Sequence, residues 1–237
     1  MKKLFKFLIK YIFYTAVIFI VLSVGTVVLY KYVNPPVTPH MIIRVIEGLI
    51  EGDPVWIKKS WIDYDETSTN IFRAFVGAED ARFMTHEGID WRAVEDSKKY
   101  NKLHKGKKKR GASTITMQTA KNTFLPHSRT YIRKGFEVYF TYLIEFFWGK
   151  KRILEVYANI VEMGPGLYGV EAASQKFFGK SASKLSDREA ALLASVLPNP
   201  RRWAPDKPTN YINKRVGMIT TRMNQVQIPK KEKKEKK

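Results

Sequence analysis

Twenty consecutive uncharged residues, Tyr11 to Tyr30 (YIFYTAVIFIVLSVGTVVLY), dominate the hydropathy pattern near the N-terminus. As a helix they would reach about 30 Å, the thickness of a bilayer's hydrocarbon core, so the pattern predicts a transmembrane helix over residues 11–31. A cleaved signal peptide is the competing reading. Its apolar part is usually shorter and ends in a small-x-small site, whereas this run ends in Leu29-Tyr30-Lys31. Three prolines follow within Asn34-Pro35-Pro36-Val37-Thr38-Pro39. Proline disfavours helix, so residues 32–55 read as a stiff extended linker ahead of a globular domain over 56–229.

Inside that domain the apolar residues recur mostly at helical spacing. Segments 71–80, 91–99, 113–123, 133–148, 151–161, 169–178 and 187–197 read as helices, and strand-like alternation is scarce. Ile153, Leu154, Tyr157, Ile160 and Val161 share one face, which marks that face as core. Ser186-Asp187-Arg188-Glu189 has capping-box spacing, and Pro198 stops the run that follows. The class is mainly α.

Composition narrows the chemistry. The 237 residues contain no cysteine, which removes disulfides, thiolate metal sites and cysteine nucleophiles. The formal charge is +20, of which residues 1–33 carry +5 and the basic tail 230–237 carries +4. Such a balance predicts an anionic partner: nucleic acid, lipid headgroups or a phosphate-bearing substrate. Lys2, Lys3, Lys6 and Lys10 precede the apolar run. The positive-inside rule keeps residues 1–10 in the cytoplasm and puts the domain on the outer face, where nucleic acid is a poor partner. Lys98 to Arg110 holds eight basic residues in thirteen and reads as a loop, either simply solvated or drawn to anionic headgroups.

Two segments carry acids and cations that packing does not readily explain. Glu79 and Asp80 end a hydrophobic helix, where negative charge opposes the helix dipole; they are an exposed helix end, a general base or a metal ligand. His86-Glu87 invites comparison with a zinc motif, but Asp90 stands where the second histidine belongs. Gly111 leads into a helix on which Ser113, Gln118 and Lys121 could present donors to an anion. Arg133 and Glu137 lie four apart beside Lys134, a surface ion pair in isolation. Ser181-Ala-Ser-Lys184 and Gly179-Lys180-Ser181 match short catalytic patterns by chance, lacking the partners those patterns require.

In order, these stretches resemble glycosyltransferase family 51, and within it the monofunctional biosynthetic peptidoglycan transglycosylases, over residues 56–215. The family pattern EDxxFxxHxG appears as Glu79-Asp80-Ala-Arg-Phe83-Met-Thr-His86-Glu-Gly88, GxSTIxQQxxKN as Gly111 to Asn122, and RKxxE as Arg133 to Glu137. A fourth runs from Lys150 through Tyr157 and Asn159 to Lys180, and a fifth from Ala191 to Pro200. Met117 replaces the first glutamine of a pair, and Ala158 replaces a leucine.

The resemblance implies a lysozyme-like helical catalytic domain with a small membrane-proximal jaw. Its activity would be polymerisation of lipid II into glycan strands at the outer face of the bacterial inner membrane, without a transpeptidase domain. By family position Glu79 is the base and Glu137 the second acid. Ser113, Thr114, Gln118, Lys121, Asn122, Arg129, Arg133 and Lys134 bind substrate, with Asp80, Phe83, His86 and Gly88 in the same site. A divalent cation, magnesium or manganese, is expected at the pyrophosphate, with Asp80 or Glu137 as its candidate ligand; no organic cofactor is expected. Expected partners are lipid II, the lipid-linked strand, the cytoplasmic membrane and other cell wall synthesis or division proteins. A hydrolase of the same glycan and a catalytically inert membrane scaffold are the rivals.

Overall fold

The computed structural model describes residues 2–105, 110–126 and 130–232. Helix α1 (Lys2–Tyr32) takes in both the basic N-terminus and the apolar run, and it is long and apolar enough to cross a membrane as a single-pass anchor. Its large side chains from Leu4 to Leu22 are exposed, but Ser23 and Val27 are buried. The C-terminal end of the apolar run is therefore a wall of the domain.

The linker departs from expectation. It is extended only as far as Thr38, whose hydroxyl accepts a hydrogen bond from the Met41 N–H. Pro39 then occupies the first turn of α2 (Pro39–Ile50), where its missing N–H has no intrahelical partner to lose. Proline at that place starts a helix instead of preventing one. Met41, Arg44 and Gly48 face inward.

Helices α3 (Thr69–Glu79), α4 (Trp91–Leu103), α5 (Ile115–Phe124), α6 (Tyr131–Ile160), α7 (Val170–Phe178) and α8 (Asp187–Val196) fall close to where periodicity placed them, and α9 (Asn210–Met223) follows them. Gly149, at φ +72°, breaks α6 into two helical segments between Trp148 and Lys150, the interruption that separates 133–148 from 151–161 in the sequence. α9 was not anticipated. A small sheet adds β1 (Lys58–Lys59), β2 (Glu162–Gly164) and β3 (Leu167–Tyr168) in the order β1-β3-β2, with β1 parallel and β2 antiparallel to β3. Strands of two or three residues leave no alternation to read.

The core lies where α3, α8 and α9 pack together and where the second segment of α6 joins them. Tyr64 stacks on Phe72 at 4.1 Å, and Phe75 meets Tyr157 edge-on at 5.3 Å. α5 packs along α6, and α1 lies on α6 from the other side. That last seam runs from Phe19 against Phe136, through Ser23 Oγ to Tyr139 OH (2.8 Å), to Trp148 Nε1–H donating to the Val27 carbonyl (2.7 Å). Residue numbers rise together along it, so the two helices run parallel. The first turns of α6 thus stand beside the apolar anchor.

Candidate active site

α3 delivers Glu79 on its last turn, and Asp80 leaves the helix at φ −157°, ψ 70°. That turn sends the two carboxylates to different partners. Asp80 Oδ2 accepts the Ile115 N–H at 2.9 Å, and both Asp80 oxygens lie 3.0 Å from His86 Nε2. An acid misplaced at the end of its own helix is thereby well placed at the positive end of α5. Glu79 Oε2 accepts from the Gln118 amide at 3.0 Å, and Tyr157 OH donates to Gln118 Oε1 at 3.4 Å. Burial, then the charges of Glu79 and Asp80, push the Tyr157 phenol well above its ordinary value, so it keeps its proton.

Glu79, Asp80, Ser113, Thr114 and Gln118 border a cleft of about 1,120 Å³ whose far wall includes Arg215 and Arg222 of α9. One turn along α5 from Gln118, Lys121 faces a second acid. Glu137 is buried, with one oxygen held by Arg133 and the other by Lys134 Nζ at 2.6 Å. Burial pushes the pKa of Lys121 down; Glu137 and Glu79 oppose that, while Arg133 and Lys134 add to it. Lys121 thus feels both acids. Arg133 Nε is buried with no hydrogen-bond partner among the described residues.

Other expected residues support these groups from behind. Phe83 is fully buried, under the Lys150 ammonium at 4.7 Å from its ring centre. Thr114 caps α5, accepting from the Met117 N–H and donating to the Gly88 carbonyl. Gly88, at φ +86°, is pressed against α6: a Cβ there would stand 2.7 Å from Thr141 Cγ2 and 2.9 Å from Glu145 Cγ. Ser113 is exposed on the cleft and Asn122 is half-buried on α5. Arg129 lies outside the described residues.

Sequence reading missed the junction beneath the cleft. Glu145 Oε1 accepts from Thr116 Oγ1 (2.8 Å) and Lys150 Nζ (2.5 Å), and Lys150 also donates to the His86 carbonyl (2.6 Å). It ties α5, both segments of α6 and the His86 loop together. Glu145 gave no signal, being one acid on an amphipathic helix; Lys150 stands inside the fourth family pattern but was not singled out.

Asp80 and Glu137, expected to hold a divalent cation, do not fit one in this arrangement. Their oxygens are engaged by His86 and a backbone N–H in one case and by two cations in the other.

A mainly helical domain that follows a long apolar helix thus sets a carboxylate near a cation cluster. A family model described as Transglycosylase matches residues 48–224, and the chain belongs to that family, the peptidoglycan transglycosylases. It is similar to the biosynthetic peptidoglycan transglycosylase of Bdellovibrio bacteriovorus, with 50% identity over 90% of this chain and 85% of the relative. The protein of the same description from Rhodospirillum centenum is 51% identical over 85% and 84% of the two chains. The one from Bacteroides thetaiotaomicron is 44% identical over 97% and 92%.

Proposed function

We propose that this transglycosylase polymerises lipid II, transferring the lipid-linked glycan chain to the 4-hydroxyl of an incoming lipid II and releasing undecaprenyl pyrophosphate. The observation that carries this reading is the order of groups along α5: Gln118 holds Glu79, and Lys121 one turn on faces Glu137 with its two cations.

Glu79 removes the proton of the attacking hydroxyl as its oxygen bonds to the anomeric carbon. The bond from that carbon to the phosphate oxygen breaks, and its electron pair leaves with the pyrophosphate. A single displacement of this kind inverts the anomeric centre. The leaving group carries its charge already, so it is served by neutralisation rather than by a proton, and Lys121, Arg133 and Lys134 supply it. Glu137 keeps those cations in register. A divalent cation enters this proposal only as a counter-ion of the substrate's pyrophosphate. The lysines ahead of the apolar run support a periplasmic domain, where both lipid tails would reach the site from the membrane.

The test incubates detergent-solubilised protein with labelled lipid II and resolves products before and after muramidase digestion. Wild type is expected to give muramidase-sensitive polymer, and Glu79→Gln about 10²–10⁴-fold less. Normal strands from Glu79→Gln would remove Glu79 as the base. Soluble sugars from finished wall without polymer from lipid II would favour a hydrolase.

A further inference from the structure

A second cavity, of about 520 Å³, opens beside the cleft, and the reaction above makes no use of it. The walls of the two cavities have Arg82 and Asp90 in common, and the pair is closed by Arg82 Nε donating to Asp90 Oδ2 at 2.7 Å. The volume lies within the range of about 300–1,000 Å³ that ligand sites span.

The lining says what would fit. The charges of its lining balance, with Arg82 and Arg92 against Glu87 and Asp90, so the walls form no cation cluster of the kind that holds a phosphate or an anionic headgroup. Two aromatic side chains border it at the surface, Trp91 at 62% exposed and Tyr142 at 46%, above the buried Ile89. Deeper in is His86, whose side chain is only 7% exposed. Its Nε2 is committed to Asp80, while its Nδ1 is buried and has no hydrogen-bond partner among the described residues. Buried polar atoms are normally paired, and Nδ1 is a polar atom of a lining residue whose hydrogen bond is unmet among the described residues.

A neutral molecule with flat apolar faces and a polar rim is a sugar ring. We propose that this cavity is a saccharide subsite, holding one ring of the glycan between Trp91 and Tyr142 with a polar group on His86 Nδ1. The proposal takes its ligand class from the glycosyltransferase reading and so rests on it. Filling the cavity would be felt at the reaction centre, because His86 holds Asp80 and Asp80 holds the first N–H of α5.

The experiment titrates the full-length detergent-solubilised protein with chitotetraose, a neutral peptide-free oligosaccharide, by calorimetry. Wild type is expected to bind, and Trp91→Ala to bind about tenfold more weakly, a loss of ~1.4 kcal/mol, at an unchanged thermal midpoint. Trp91 borders the side cavity and not the cleft, so binding in the cleft alone would leave the two proteins equal. Tyr142→Ala serves the same purpose if Trp91→Ala does not fold. Inorganic phosphate and phosphatidylglycerol micelles are expected not to compete. Strands made from lipid II by the variant are expected to be shorter.

No binding by wild type, equal binding by wild type and both variants, or displacement by phosphate would overturn the subsite. Wild-type polymerisation with Trp91-independent sugar binding would defeat the subsite alone. Trp91-dependent sugar binding with no polymer from wild type would instead defeat the polymerase reading.

Discussion

Burial pushes the pKa of Lys121 down although Glu137 and Glu79 pull it up, so the folded protein holds this proton less tightly than the unfolded chain, whose lysine titrates near 10.5. From the depressed folded value up to 10.5 the unfolded state therefore binds more protons, and stability rises with pH across that window. Below it, the charged ammonium opposes folding at full strength. Lys121→Met is accordingly expected to be more stable than wild type at pH 7 in urea denaturation, with the gain vanishing as pH passes 10.5. The same variant is expected to lose about 10²–10³-fold in polymerisation rate, since a group aimed at leaving-group charge is removed. A stability loss at neutral pH would show that Lys121 is structural. Of these residue-level features, Glu79, Lys121 and Glu137 were legible as chemistry from their place in ordered patterns. The split of Glu79 and Asp80 between Gln118 and the start of α5 was not, because a single backbone turn at Asp80 decides it.

The elements of the site are held by close approach as much as by hydrogen bonds. Gly88 combines a left-handed φ with contact to Thr141 and Glu145 on α6, so any side chain there meets both backbone strain and a clash. Gly88→Ala is expected to cost about 2–3 kcal/mol and to lower the thermal midpoint by roughly 5–10 °C. A midpoint within a degree of wild type would mean that α6 gives way easily. Helix existence was legible from apolar spacing for α3 to α8, but α9 was missed although Ile212, Val216, Ile219 and Met223 recur at helical spacing. α2 was hidden because its prolines read as a spacer, and only the Thr38 cap shows them to be a helix start. The small sheet was hidden because its strands are short and β1 pairs with β3 about a hundred positions away.

For the whole molecule, the anchor and the domain share structure. Ser23 and Val27 are buried on α6, and Arg152 donates to the Tyr30 and Val33 carbonyls. Removing residues 1–22 is therefore expected to leave a folded domain with its midpoint within about 2 °C of the full chain. Removing residues 1–34 uncovers Trp148 and Phe124 and is expected to lower it by roughly 5 °C or more, read by calorimetry in one detergent. Equal midpoints for the two truncations would make the seam incidental. Because α6 runs parallel to α1 and starts beside its apolar part, the cations of α6 sit on the side of the site nearest that run, the side from which the proposed lipid-linked substrate would arrive.

By itself the sequence determined the long apolar N-terminal helix, the mainly helical class and the family, because continuous hydrophobicity, helical periodicity and ordered patterns are local properties of the chain. Tertiary structure decided the rest. It determined which oxygen of which acid meets which donor, where proline begins a helix, that Glu145 and Lys150 brace the cleft, and that a neutral cavity lined by Trp91 and Tyr142 adjoins it. Those depend on distances between segments far apart in the chain, and such distances exist only once the helices have packed.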